Sequence, residues 1–150
     1  MSRVCRFVDT VDLDELERIW ELGKDEVIAN QGDVDFDTMK MKFTEVGSSF
    51  IEGTNNGAVT GYIAGIRKRN GTYLLTNSVT ETPTDFGEYS AEPMHTLLKE
   101  SGITNVMAYC KDGSTMLTFV ENDLNRSDLY SAGSRQDYGI GFYQILVGVL

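Results

Sequence analysis

One histidine and two cysteines set the limits on what side-chain chemistry this 150-residue chain can carry. His95 stands alone, so a histidine-rich metal site is excluded and any Ser-His or Cys-His mechanism would depend on it. One residue after Met94 on a predicted helix, it reads as a partly exposed structural histidine. Cys5 and Cys110 lie far apart, match no metal spacing and make no disulfide framework; they read as reduced, partly buried thiols of an intracellular protein. Asp33, Asp35 and Asp37 alternate as calcium-loop ligands do, but the loop glycine and the later bidentate glutamate are missing at the required spacing. Helix capping accounts for them. Gly139-Ile140-Gly141-Phe142 lacks the third glycine and the following helix of a nucleotide loop, and reads as a bulge or a close backbone approach. Arg67-Lys68-Arg69 is the sole cationic cluster, suited either to an anion or to keeping a hairpin tip soluble.

Periodicity gives the elements that must position these residues. Residues 3–8 alternate as a short strand. Asp12 with Glu15 opens a helix on which Leu13, Leu16, Ile19, Trp20, Val27 and Ile28 recur at helical spacing. Asn30 to Asp33 interrupts it, and Asp35 caps a second helix with Phe36, Met39, Phe43 and Val46 on one face. Residues 49–52, 58–67 and 72–80 then read as strands. Asn55-Asn56-Gly57 and Asn70-Gly71 between them are strong hairpin signals, so an antiparallel meander is expected. Pro83 and Gly87 break the chain before a helix from near Ala91 to Ser101, with Pro93 in its first turn, Met94, Leu97 and Leu98 inward and Gly102 closing it. A buried strand over 103–110, a helix from Ser114 carrying Met116, Leu117, Val120 and Leu124, a polar loop over 125–137 and a closing strand over 138–150 complete the chain. The result is one α/β (α+β) domain over 1–150, with a mixed, mostly antiparallel sheet of about six strands and about four helices.

Composition narrows the function classes. Thirteen Lys plus Arg against twenty-three Asp plus Glu give a formal charge of −10, which repels phosphate backbones and anionic lipid, so neither a nucleic acid nor a membrane is an expected partner. A signal-peptide run and an eighteen-residue apolar stretch are both absent, so secretion by signal peptide is not expected. The apolar run from Phe142 to Leu150 calls for a covered central position or a protein interface, and a protein partner or homo-oligomer is expected.

Two helices, a hairpin meander and a strand-helix-strand ending resemble the GNAT superfamily of acyl-CoA-dependent N-acyltransferases. Residues 50–65, with Gly53, Gly57, Gly61 and Gly65, are similar to the family's strand, turn and glycine-bearing third strand, and Gly102 to Val106 is similar to its helix-to-strand step. The resemblance implies that the fourth and fifth strands splay apart around acyl-CoA, with the pyrophosphate at the N-terminus of the next helix. The family meets the diphosphate with Arg/Gln-x-x-Gly-x-Gly/Ala, which supplies free amides and a cation. The corresponding stretch here, residues 82–92, has one glycine, no Arg or Gln, and acids at Asp85, Glu88 and Glu92. Each carboxylate opposes the ligand's charge by about 1 kcal/mol at close range in partly screened surroundings.

Transfer of an acyl group to an amine also needs a base and an acid. By the resemblance, Glu81 at the end of the fourth strand is the candidate base. The family's acid is often a tyrosine on the helix after the fifth strand, where this chain has Phe119, leaving Tyr130 and Tyr109 as substitutes. Three readings result. The first is a GNAT-like fold with a degenerate site and no cofactor, serving as a binding or structural component. Its resemblance to small proteins of tailed bacteriophages implies a virion or host-interaction role, either cytoplasmic or virion-associated. The second is an active N-acetyltransferase holding acetyl-CoA by backbone groups of Phe86, Gly87, Glu88, Tyr89, Ser90 and Ala91, with Glu81 as base and Tyr130 or Tyr109 as acid. The third is an acidic inhibitor of a nucleic-acid enzyme.

Overall fold

The computed structural model describes residues 2–31, 34–111, 130–131, 135–137 and 142–149, the last three segments and residues 109–111 as strand backbone. The sheet contains β1 (Arg3–Val8), β2 (Ser49–Asn55), β3 (Ala58–Arg67), β4 (Thr72–Thr80), β5 (Asn105–Lys111), β6 (Tyr130–Ser131), β7 (Arg135–Asp137) and β8 (Phe142–Val149). Its order is β1-β2-β3-β4-β5-β8-β6, with β7 also paired to β8. Every pairing is antiparallel except β4 with β5. The helices are α1 (Leu13–Gln31), α2 (Phe36–Lys42), α3 (Pro83–Ser90) and α4 (Glu92–Glu100).

Strand alternation divides the core between the two faces. Phe50, Tyr62, Ala64 and Val79 pack under Leu16, Ile19, Trp20 and Val27 of α1 and Met39 of α2. Ile51, Ile63, Tyr73 and Leu75 pack under Phe86 and Tyr89 of α3 and Met94 and Leu98 of α4. Leu16, Ile19, Ile51 and Leu98 are wholly buried, each stabilising the fold by about 1.5–3 kcal/mol relative to exposure. Two glycines let tyrosines lie flat across the strands. The Tyr89 ring covers Gly53, where a Cβ would come within 2.8–2.9 Å of three ring carbons, and the Tyr73 ring covers Gly65 in the same way.

The expected hairpins are present with different turns. Asn56 (φ 52) and Gly57 (φ 87) make the left-handed pair of a two-residue turn. At the second hairpin Lys68 N–H donates to Thr72 O, so Arg69, Asn70 and Gly71 form a three-residue loop with Gly71 left-handed. Thr104 N–H then donates to Gly71 O at 2.8 Å, which holds the start of β5 against β4.

Four expectations are corrected. Residues 83–90, expected as a break, form α3, because Pro83 occupies the first turn where it lacks no needed N–H and Thr82 caps it. Helix α2 stops at Lys42 with Phe43 as its C-cap, so Val46 is fully exposed instead of facing inward. The stretch read as a polar loop contributes β6 and β7. His95 is buried beside Met94 on α4. The closing strand β8 lies between β5 and the short β6 and β7, the covered position its apolar run called for. The helix expected from Ser114 and the Gly139 to Gly141 turn lie outside the described residues.

Candidate functional site

The sheet opens between β4 and β5. Their parallel pairing covers only Thr72 to Leu75 against Asn105 to Ala108. Beyond it β4 continues to Thr80 and β5 to Lys111 without further pairs between them. A β-bulge marks the point of divergence. Ala64 opposes Asn77 and Gly65 opposes Leu75, which leaves Thr76 as the extra residue, its hydroxyl donating to Ala64 O at 3.1 Å. The extra residue reverses the facing of the rest of β4. Tyr73 and Leu75 point to the α3 and α4 face, whereas Asn77 and Val79, also odd-numbered, oppose Ala64 and Tyr62 on the α1 face. Beyond Leu75, β4 therefore has no strand partner on its β5 side among the described residues, and Asn77 and Ser78 on this stretch are buried polar residues.

At the mouth of the wedge, the N-terminus of α3 is closed from within. Thr82 is the N-cap: its hydroxyl accepts from Asp85 N–H, and Asp85 Oδ2 accepts from Thr82 N–H at 3.2 Å, a reciprocal capping box. Pro83 removes one amide from this turn. Asp85, only 6% exposed, thus places a carboxylate where the helix dipole favours an anion. Arg3 of β1 holds it there, with Nη1 at 2.5 Å from Asp85 Oδ1 and Nε at the same distance from Glu88 Oε2. Burial works to lower the Arg3 pKa, but hydrogen bonds and attraction from Asp85 and Glu88 outweigh it and raise the pKa.

The residues predicted from sequence fall into three places. Glu81 is half-buried on the α1 side: its backbone N–H donates to Thr60 O at 2.9 Å and its Oε2 accepts from Arg18 Nη1 at 2.9 Å. Arg18 also donates to Glu15, and its hydrogen bonds to Glu81 and then to Glu15 raise its pKa. Glu81, Arg18 and Glu15 border a cleft of about 640 Å³ between α1 and the β2–β3 hairpin, so the carboxylate is a salt-bridge partner there. Phe86, Gly87, Glu88, Tyr89 and Ser90 belong to α3 beyond its first turn, and Ala91 joins α3 to α4. Their amides are helical, Phe86 and Tyr89 are core side chains, and Ser90 Oγ donates to Phe86 O at 2.6 Å. The first turn of α3 is Thr82 to Asp85, whose end groups the capping box already occupies. Tyr109 follows Ala108 at the start of the open part of β5, and Tyr130 lies on β6 opposite Val149; their positions are backbone positions only.

Sequence patterning misses three features. Arg3 reads there only as part of a strand, although it is the cation that secures the α3 acids. Thr76-Asn77-Ser78, a polar triplet in the middle of β4, is the available signal for the bulge. Thr82-Pro83-Thr84-Asp85 before Phe86 and Tyr89 is the available signal for α3. Elsewhere burial pushes the Cys5 thiol up to about 12, and burial also raises Tyr89 against the lowering effect of its Thr60 hydrogen bond.

No protein-family model matches the sequence, and a search of curated proteins finds no match. Solved structures do match. The aminoglycoside acetyltransferase AAC(6')-Ib in complex with coenzyme A aligns with a TM-score of 0.69 at 11% identity, over 99% of this chain and 95% of that one. The GNAT domain of S. lividans PAT aligns at 0.63 and 12% identity, over 97% and 89%. The PaiA N-acetyltransferase of Thermoplasma acidophilum, in complex with coenzyme A, aligns at 0.56 and 14%, over 97% and 98%. The chain has the GNAT fold.

Proposed function

We propose that this GNAT-fold chain carries a degenerate acyl-CoA site and works as a non-catalytic binding or structural component. The observation that carries this reading is the Thr82–Asp85 capping box, pinned by Arg3, at the α3 N-terminus. A pyrophosphate there would have to displace a buried carboxylate from two hydrogen bonds and an ion pair while meeting Glu88 nearby. Among the described residues the cation beside this turn, Arg3, is already shared by two acids. The setting in a virion or at a host interface comes from the sequence resemblance and is part of this proposal.

Calorimetric titration with acetyl-CoA tests it. The expected outcome is no saturable heat up to about 1 mM ligand, the weakest range such an experiment reads. Binding at low micromolar affinity overturns the reading.

One observation favours a second reading, an active N-acyltransferase: the wedge and its bulge persist, and structural relatives were solved with coenzyme A. In that case Glu81 would have to leave Arg18 to act as base, with Tyr109 or Tyr130 as acid. A thiol-release assay over a panel of amines detects turnover, and Glu81→Gln with unchanged turnover removes that residue from the mechanism.

A further inference from the structure

β1 is the outer strand of the sheet, and its free edge faces a groove. Asn56 N–H donates to Ser2 O at 2.8 Å, and Ser2 N–H to Asn56 Oδ1 at 3.0 Å. Bonded and non-bonded pairs alternate along an antiparallel ladder, so Val4, Arg6 and Val8 bond to β2. The N–H and C=O groups of Arg3, Cys5 and Phe7 consequently point outward, and no strand pairs with them among the described residues. The groove beside them, about 650 Å³, has β1 as one wall and the α3–α4 junction with α4 as the other.

The α4 wall has a repeat. Glu92, Thr96 and Glu100 are all exposed and lie four residues apart on one stripe, with half-buried Leu97 beside them. Neither Glu92 nor Glu100 makes an ion pair among the described residues. Eight helical residues separate them by about 12 Å, and residues i and i+4 of a strand lie about 13 Å apart on one face.

We propose that the β1 edge accepts an extended basic peptide as an added strand. Lys or Arg at i and i+4 pairs with Glu92 and Glu100, and an apolar residue at i+2 lies over Leu97. Main-chain bonds to Arg3, Cys5 and Phe7 supply affinity, and the two glutamates supply the preference for charge. A second copy of this chain is a poorer occupant, because each carries a formal charge of −10 and brings its own glutamates to the same groove.

The probe is a fluorescein-labelled peptide, Thr-Lys-Val-Leu-Val-Lys-Thr, titrated with the full chain and read by fluorescence anisotropy. Saturable binding is expected, weakened about fivefold by the double substitution E92Q/E100Q, whose exposed sites leave folding intact, and weakened again as salt rises. Two N-methylated peptides separate strand addition from charge attraction: methylation of the residues facing β1 abolishes binding, and methylation of the alternate residues leaves it. Absence of saturable binding, indifference to E92Q/E100Q, or equal response to the two methylation registers overturns the proposal. So does sedimentation showing the free chain as a dimer whose β1 amides are protected from exchange.

Discussion

Cys5 is 7% exposed, and the burial that raises its pKa from 9.0 to about 12 has two consequences. In a Cys110→Ser background the thiol should resist alkylation at pH 8 until denaturant is added, since the thiolate is the reactive form. The second concerns stability. The native pKa lies above the unfolded one, so the contribution is complete below pH 9 and is lost as pH rises from about 9 towards 12, by up to about 1.4 kcal/mol per pH unit for this one group. Urea midpoints measured from pH 8 to 11 should fall accordingly. Burial raises Tyr62 and Tyr73 as well, which extends the decline above pH 10. Gly53 supplies a test of packing. Gly53→Ala drives a methyl into the Tyr89 ring and should cost about 1–3 kcal/mol in chemical denaturation, most of it recovered in a Tyr89→Leu background.

Among the elements, α3 decides how the site is understood. Thr82→Ala removes one half of the capping box and should lower stability by about 1 kcal/mol. Asp85→Ala should cost more, about 2 kcal/mol or above, because it also leaves the largely buried Arg3 with only Glu88 as partner. Thermal melts of the two variants rank the effects, and equal losses would count against the Arg3 link. The strands of the meander and α1 are legible in the sequence because alternation, Asn-Gly turns and a long apolar stripe at helical spacing are local signals. The α3 helix is not, because Pro83 and Gly87 act as breakers in most contexts and only the cap at Thr82 reverses their meaning. The ion pairs of Glu81 with Arg18 and of Asp85 with Arg3 join residues 63 and 82 positions apart, which no periodicity encodes.

For the whole molecule, a formal charge of −10 leaves the surface repelling itself. Screening should therefore stabilise the chain: the melting temperature should rise as sodium chloride is added up to about 0.15 M, by about 2–4 °C for each kcal/mol of repulsion relieved. A melting temperature that falls over that range would mean that ion pairs such as Arg18 with Glu81 outweigh the repulsion. The wedge has a further bearing on how such a molecule can change over generations. One inserted residue, Thr76, sits where β4 and β5, which share four rungs, cease to pair. On the proposed reading, a lineage can discard a ligand by rewriting one capped turn while the bulge, and the gap beside it, stay as they were.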